Sequence, residues 1–189
     1  MNLLNNTKVY LAGPIEYASS PISWRQELTL FLNKIGVRVY DPLVKPIWFH
    51  YAAKANPKIY IDAILGKSPE LSSEEAFTGL DYVRKLDLRY VNDCEWMIVH
   101  LPREFSAGTG EELAVAAQTG KPVLVFSQCE IPASWSLVQL AKSNDWRNVF
   151  FPSLEALKTH ITNIDNGNVK LDVAKWIFLS YFRNDVKWE

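Results

Sequence analysis

The chain has no basic stripe, no long block of like charge and no apolar run near the length of a membrane span. Lysine and arginine number 20 against 21 acidic residues, for a formal net charge of −1. That balance argues against a nucleic-acid polymer as partner and against a charged, disordered tail. The longest apolar candidate, Trp176 to Phe182, falls well short of the roughly 20 residues that cross a bilayer. No membrane partner is expected. The N-terminal stretch breaks off at Asn5-Asn6 before any apolar run forms, unlike a signal peptide. Cysteine is scarce. Cys94 and Cys129 have no metal-ligand spacing and read as reduced, buried thiols of a cytoplasmic protein. No metal and no cofactor are expected. Internal repeats and low-complexity segments are also missing.

What is present suffices for one substantial core. The 189 residues are 48% hydrophobic, which fits a single α/β domain over 1–189. Aromatics are abundant, with 7 Trp, 8 Tyr and 9 Phe. Core packing is their default reading, with an oligomer interface or a stacking pocket as the others.

Lys8 to Pro14 reads as a short apolar strand closed by a Gly-Pro turn. Ser23 reads as the cap of a helix from Trp24 to about Lys34, ended by Gly36. Val37 to Tyr40 is a second strand, closed by Asp41-Pro42. Together they form a β-α-β unit, which favours a parallel sheet with a right-handed crossover. From about 43 to 71 the periodicity fades, and this segment is expected to be an insertion with some helix. A helix start at Ser72-Ser73-Glu74-Glu75 leads to a helix reaching about Asn92. Trp96 to Leu101 and Pro122 to Phe126 read as strands three and four, with a helix from Thr109 to Thr119 between them. A helix is also expected over Trp135 to Lys142, then a fifth strand at Val149 to Phe151. A last helix is capped by Ser153, and an amphipathic, aromatic tail covers about 169 to 189. The alternation predicts a doubly wound, mostly parallel five-stranded α/β sheet with flanking helices, of Rossmann or flavodoxin-like type. Such sheets bind ligands at the carboxyl ends of their strands, near the topological switch point. Gly13-Pro14-Ile15-Glu16, Asp41-Pro42 and the stretch from Arg103 to Glu112 are the polar strand-end loops.

The stretch Ser106-Ala107-Gly108-Thr109-Gly110-Glu111-Glu112-Leu113 carries the most information. A small, Gly-rich turn between a strand and a helix brings backbone N–H groups close to a ligand. Taken alone, it reads as a capped helix start, with Ser106 or Thr109 as cap. Two adjacent acids allow a second use. One can face solvent and complement the helix dipole from the first turn while the other faces the site.

The ordered set of Tyr10-Leu11-Ala12-Gly13-Pro14, Asp41-Pro42, an Asp before a buried strand, Ser106-x-Gly108-Thr109-x-x-Glu112-Leu113 and Gly120-Lys121-Pro122-Val123 resembles the nucleoside 2-deoxyribosyltransferase family. The broad family includes nucleotide N-glycoside hydrolases. The resemblance runs from about Lys8 to Phe126, apart from the insertion. It implies cleavage of a nucleoside N-glycosidic bond through a glycosyl-enzyme, with the deoxyribosyl group passing to another base. It further implies Glu112 as nucleophile, Tyr10 as the hydroxyl that orients it, and Asp87 as the acid that contacts the base. Asp93 and Glu95 are competitors for that last role. Gly13, Pro14 and Asp41 would line the site, and Ser106, Gly108 and Thr109 would line the sugar or its 5′ end. In the irregular insertion, Trp48 and His50 stand in the aromatic run Trp48-Phe49-His50-Tyr51 as candidates for stacking on a base. A packed aromatic cluster is the competing reading. His100 reads as core and His160 as exposed.

The chemistry is consistent with these residue types. Departure from a sugar carbon passes through an oxocarbenium-like state that a close carboxylate captures, while a second acid protonates the leaving base. The expected partner is a small-molecule nucleoside or nucleotide. Hydrolysis of a nucleoside 5′-monophosphate by the same Glu112 is the close alternative. A non-catalytic nucleotide-sensing module of the same fold is the other. A homo-oligomer is expected, with the aromatic tail reaching a neighbouring subunit.

Overall fold

The computed structural model describes residues 2–15, 22–44, 57–102, 106–127, 150–180 and 187. In chain order the elements are β1 (Lys8–Ala12), α1 (Ser23–Lys34), β2 (Arg38–Tyr40), α2 (Pro57–Ile64), α3 (Ser73–Asp93), β3 (Trp96–His100), α4 (Ala107–Gln118), β4 (Val123–Phe126), β5 (Phe150–Phe151), α5 (Leu154–Asp165) and α6 (Ile177–Ser180). The expected helix over Trp135 to Lys142 lies outside the described residues, as do Trp48, His50, Arg103 and Cys129.

The strands form one five-stranded sheet in the order β2-β1-β3-β4-β5, and each adjacent pair is parallel. This is the doubly wound sheet the sequence predicts. Strands covered on both faces read as nearly continuous apolar runs, and β1, β3 and β4 have that character. Val9 to Ala12, Trp96 to Val99 and Val123 to Phe126 are all buried.

One face carries the main core. Val9 and Leu11, Trp96 and Ile98, and Leu124 and Phe126 project from alternate strand positions onto Leu28 and Leu32 of α1 and Leu157, Ile161 and Ile164 of α5. The C-terminal segment closes this core with Leu171, Trp176 and Leu179. Trp176 packs on Trp96 and Phe178 at centroid distances of 5.9 and 5.6 Å. The described start of the tail is thus part of this chain's own core. Trp176 is buried in it, and Phe178 packs against it partly buried.

Local signals mostly match. Ser153 caps α5 by accepting from the Ala156 N–H. Ser72 and Glu75 form a reciprocal capping box before α3, at 3.2 and 3.0 Å. Ser23 differs from expectation. It is the first residue of α1, and Ile22 occupies the cap position with a helical backbone and no side-chain hydrogen bond. Beyond α1 the chain turns at Gly36, whose φ is +77°. That left-handed backbone favours glycine. Asp165, buried at the end of α5, accepts from the Leu4 N–H through Oδ1 and from the Leu3 N–H through its carbonyl. These bonds tie the N-terminal segment to the last long helix.

Residues Pro42–Tyr90 form a compact unit distinct from Met1–Asp41 with Val91–Glu189. Within that smaller unit, the Ser73 hydroxyl donates to the Ala63 carbonyl at 2.6 Å, and Ala63 and Ala76 are buried. Among the described residues no helix is long and apolar enough to cross a membrane.

Candidate active site

The strand order places the topological switch between β1 and β3, since the chain adds β2 on one side of β1 and β3 on the other. At that edge β1 runs out into Gly13-Pro14, β2 into Asp41, and β3 into Leu101-Pro102. Helix α4 begins shortly after β3.

Tyr10 faces away from the core built by Val9 and Leu11, because side chains alternate along a strand. It meets α4 on the opposite face. The Tyr10 hydroxyl donates to Glu112 Oε1 at 2.6 Å. Tyr10 is fully buried, and Glu112 is only 8% exposed. A charged acceptor in a buried setting makes such a bond short and strong. Glu112 shares its helix with buried Leu113 and Ala116, so the apolar face of α4 presses the carboxylate against the strand.

Ser106 is the cap of α4. Its Oγ accepts from the Thr109 N–H at 3.2 Å and lies 2.8 Å from Thr109 Oγ1. The helix therefore starts at Ala107, and no acid lies in its first turn. Glu112 is a turn and a half in, which removes the reading of the Glu111-Glu112 pair as a first-turn complement to the dipole. Thr109 is buried, whereas Gly108 is exposed with open space where a Cβ would stand.

Arg25, which sequence reasoning passed over, is fully buried on α1. It donates through Nη2 to the Gly13 carbonyl at 2.8 Å, and its Nε lies 3.5 Å from Asp41 Oδ1. Its guanidinium carbon sits 4.3 Å from the centroid of the Trp24 ring. Burial lowers the Arg25 pKa, and the electrostatic influence of Asp41, then of Tyr10 and Glu112, works against that lowering. Arginine stays protonated under any such balance. A signal for it existed: Arg25, Leu28 and Leu32 fall at i, i+3 and i+7, so a cation sits on the buried stripe of an amphipathic helix.

Gly13 has φ +154°, and a Cβ there would come within 3.1 Å of both the His100 carbonyl oxygen and Trp24 Cζ2. The turn after β1 is thus held tightly to β3. The His100 ring stacks on Phe126 at 4.6 Å and tilts against Trp24 at 5.2 Å. Burial first, and the Arg25 charge second, lower its pKa to about 4, so it is neutral near pH 7. His160 is half-buried, with its ring 4.8 Å from that of Phe151, rather than exposed.

Tyr10 with Glu112, Gly13 with Asp41 through Arg25, and Ser106 with Thr109 are the sequence-derived candidates the fold brings into contact. Pro14 is buried beside Gly13. Asp87 lies half-buried on α3, within the smaller unit. Of its competitors, Asp93 is exposed at the amino edge of the sheet, and Glu95 Oε2 accepts from the Lys8 N–H there at 2.6 Å. Neither stands at the carboxyl edge. Among the described residues no three His, Cys, Asp or Glu side chains are grouped as a metal site requires.

A parallel doubly wound sheet with a buried Tyr–Glu pair at its switch point defines the class: an α/β protein with a polar, carboxylate-bearing strand edge. No protein-family model matches the chain, and no curated protein matches it by sequence. Solved structures do match. A 2-deoxyribosyltransferase from the psychrotolerant bacterium Bacillus psychrosaccharolyticus aligns over 80% of this chain and 90% of its own, at TM-score 0.50 and 18% identity. A CMP N-glycosidase from Clostridium botulinum aligns over 82% of this chain and 98% of its own, at TM-score 0.50 and 15% identity. Both neighbours are enzymes, and this chain shares their fold.

Proposed function

We propose that the protein cleaves the N-glycosidic bond of a nucleoside, with Glu112 as nucleophile and a second base as acceptor of the deoxyribosyl group. The observation that carries this reading is the 2.6 Å bond from Tyr10 to a buried Glu112 beside the switch point of the sheet. A hydroxyl fixed on one carboxylate oxygen holds the group in a single orientation, as attack at an anomeric carbon demands.

In the first half of the reaction a Glu112 oxygen bonds to the anomeric carbon. The C–N bond breaks, and its electron pair leaves with the base. Asp87 supplies the proton to the departing base in this scheme, a role that rests on the sequence resemblance. In the second half a nitrogen of the acceptor base bonds to the anomeric carbon, the ester C–O bond breaks, and its electron pair returns to Glu112. The acceptor's proton passes back to Asp87.

A second reading has support of its own. One structural neighbour is a CMP N-glycosidase, which favours a nucleoside 5′-monophosphate as substrate and water as acceptor. Ser106 and the open position at Gly108 would then flank the 5′ end. A homo-oligomer in solution is part of either proposal.

Incubation with a panel of nucleosides and their 5′-monophosphates, with and without a free acceptor base, separates these readings by chromatography. Base exchange supports transfer, and base release that ignores the acceptor supports hydrolysis. Glu112→Gln is expected to lose turnover by several powers of ten with an unchanged circular dichroism spectrum. A folded Glu112→Gln protein of wild-type activity refutes the nucleophile. Wild-type protein inert towards the whole panel, yet binding its members, indicates a sensing module.

A further inference from the structure

Helix α3 holds large apolar side chains in water and sorts its charges into two blocks. Its covered side is marked by buried Ala76 and by Gly79, where an added Cβ would stand 3.7 Å from Tyr60 of α2. Phe77 and Leu80 turn to another side. Phe77 is 59% exposed, and Leu80 and Arg84 are exposed as well. The three fall at i, i+3 and i+7, which makes one stripe along the helix. An arginine stem on such a stripe covers apolar surface while its charge stays wet. The exposed acids Glu74, Glu75 and Asp81 stand in the first half of α3, and exposed Arg84, Lys85 and Arg89 stand in the second. Asp87, between those bases, is half-buried. The helix dipole accounts for Glu74 and Glu75, which lie in the first turn. It does not account for the bases, because the last turn holds none and the helix ends on Asp93.

We propose that the Phe77–Leu80–Arg84 face of α3 is an interface with a second copy of this chain, the two helices antiparallel about a two-fold axis near Leu80 and Asp81. In a two-fold contact a residue before the axis meets the one equally far after it, and the reverse contact comes with it. Phe77 then faces the partner subunit's Arg84, so that a guanidinium covers an aromatic ring in both copies. Leu80 meets its own counterpart at the centre. Glu74 and Glu75 come within a turn of the partner subunit's Lys85 and Arg89. A parallel pairing would set acid against acid and base against base, a juxtaposition that costs affinity. The charge order of α3 thus selects both the occupant and its direction. A self-complementary helix face also gives Phe77 and Leu80 the cover that exposed apolar patches otherwise lack. The interface needs no residue of the aromatic tail and does not depend on the reading of Glu112.

The test is sedimentation velocity on the full-length chain, with circular dichroism as the check on folding. Wild-type protein is expected to be dimeric at micromolar concentration, and Phe77→Asp should weaken self-association about tenfold or more. Two charge variants fix the direction. One carries Glu74→Lys with Asp81→Lys and has a basic α3 face. The other carries Lys85→Glu with Arg89→Glu and has an acidic one. Both lose the exposed Asp81–Lys85 bridge within the helix, so that loss is common to them. Each variant alone should be monomeric, and an equimolar mixture should form heterodimers. A monomeric wild-type chain overturns the proposal, as does a dimer unchanged by Phe77→Asp. Folded charge variants that stay monomeric when mixed overturn the antiparallel pairing. Should Phe77→Asp unfold, Phe77→Ser carries the same readout. Loss of fold in both would assign Phe77 to the fold of its own chain and refute the interface. A monomer that cleaves N-glycosides would sink the interface and leave the proposed activity standing.

Discussion

Removing the Tyr10 hydroxyl is the sharpest perturbation the site allows. Tyr10→Phe keeps the ring, and with it the packing of a side chain that is fully buried on the central part of the sheet. What it deletes is the 2.6 Å bond to Glu112 Oε1. A hydrogen bond to a charged group contributes about 1.5–3 kcal/mol net. If that energy is felt in the transition state, each ~1.4 kcal/mol is a factor of about ten in rate. The expected loss in kcat/KM is therefore about ten- to a hundredfold. It is smaller than the loss in Glu112→Gln because the proposed nucleophile remains. Folding stability should fall by about 1–3 kcal/mol, since one buried carboxylate oxygen loses a donor.

Kinetics on the best substrate of the nucleoside panel, paired with urea denaturation, measure both quantities. A double-mutant cycle makes the test stricter. On the Glu112→Gln background the Tyr10→Phe change should cost little further rate, because residues acting as one unit are not additive. Wild-type kcat/KM in a folded Tyr10→Phe protein refutes the orienting role. Strictly additive losses in the cycle refute the coupling between the two side chains.

Two further outcomes follow from the turn after β1 and the histidine beside it. Gly13→Ala should destabilise the fold by about 1–3 kcal/mol in urea denaturation, because φ is +154° and a Cβ would press on the His100 carbonyl and Trp24 at 3.1 Å. For His100, whose pKa falls from the usual 6.5 to about 4, the unfolded chain takes up a proton before the folded one does. Its contribution to stability is then lost as pH drops from about 6.5 to about 4, and is constant above that window. His100→Phe should flatten this limb of the stability profile. An equally steep limb in the variant would place the titration elsewhere.

Much of the frame was legible because it rests on local rules. The β1-α1-β2 unit, the apolar strands β3 and β4, and the Ser153 cap each leave a mark within a few neighbouring residues. Tyr10 and Glu112 were also legible, though not through periodicity. The family resemblance selected them, and the structure joins them through the Tyr10 hydroxyl bond to Glu112. The helix start itself was ambiguous. Ser106 and Thr109 are both good cap residues, and the choice of Ser106 moved Glu112 from the first turn into the second. The Ser23 cap failed because a hydroxyl before an apolar stripe is a common pattern even one residue inside a helix.

The remainder was illegible because it depends on contacts between distant segments. Trp176 looked like surplus apolar surface as long as nothing said what covered it. Its partner is Trp96, far away in the chain, at the amino end of β3. Arg25 is the instructive case. Its position on the Leu28–Leu32 stripe marks it as anomalous, and stripe patterning alone would treat such an anomaly as noise. Its partners, the Gly13 carbonyl and Asp41, lie in two loops that meet only because β1 and β2 are adjacent and parallel. Where a local rule is broken without an evident gain in stability, function is the place to look. Here the broken rule joins the turn after β1 to the first residue past β2, at the carboxyl edge of the sheet, so a stripe-interrupting charge is a feature worth reading in sequences of this fold.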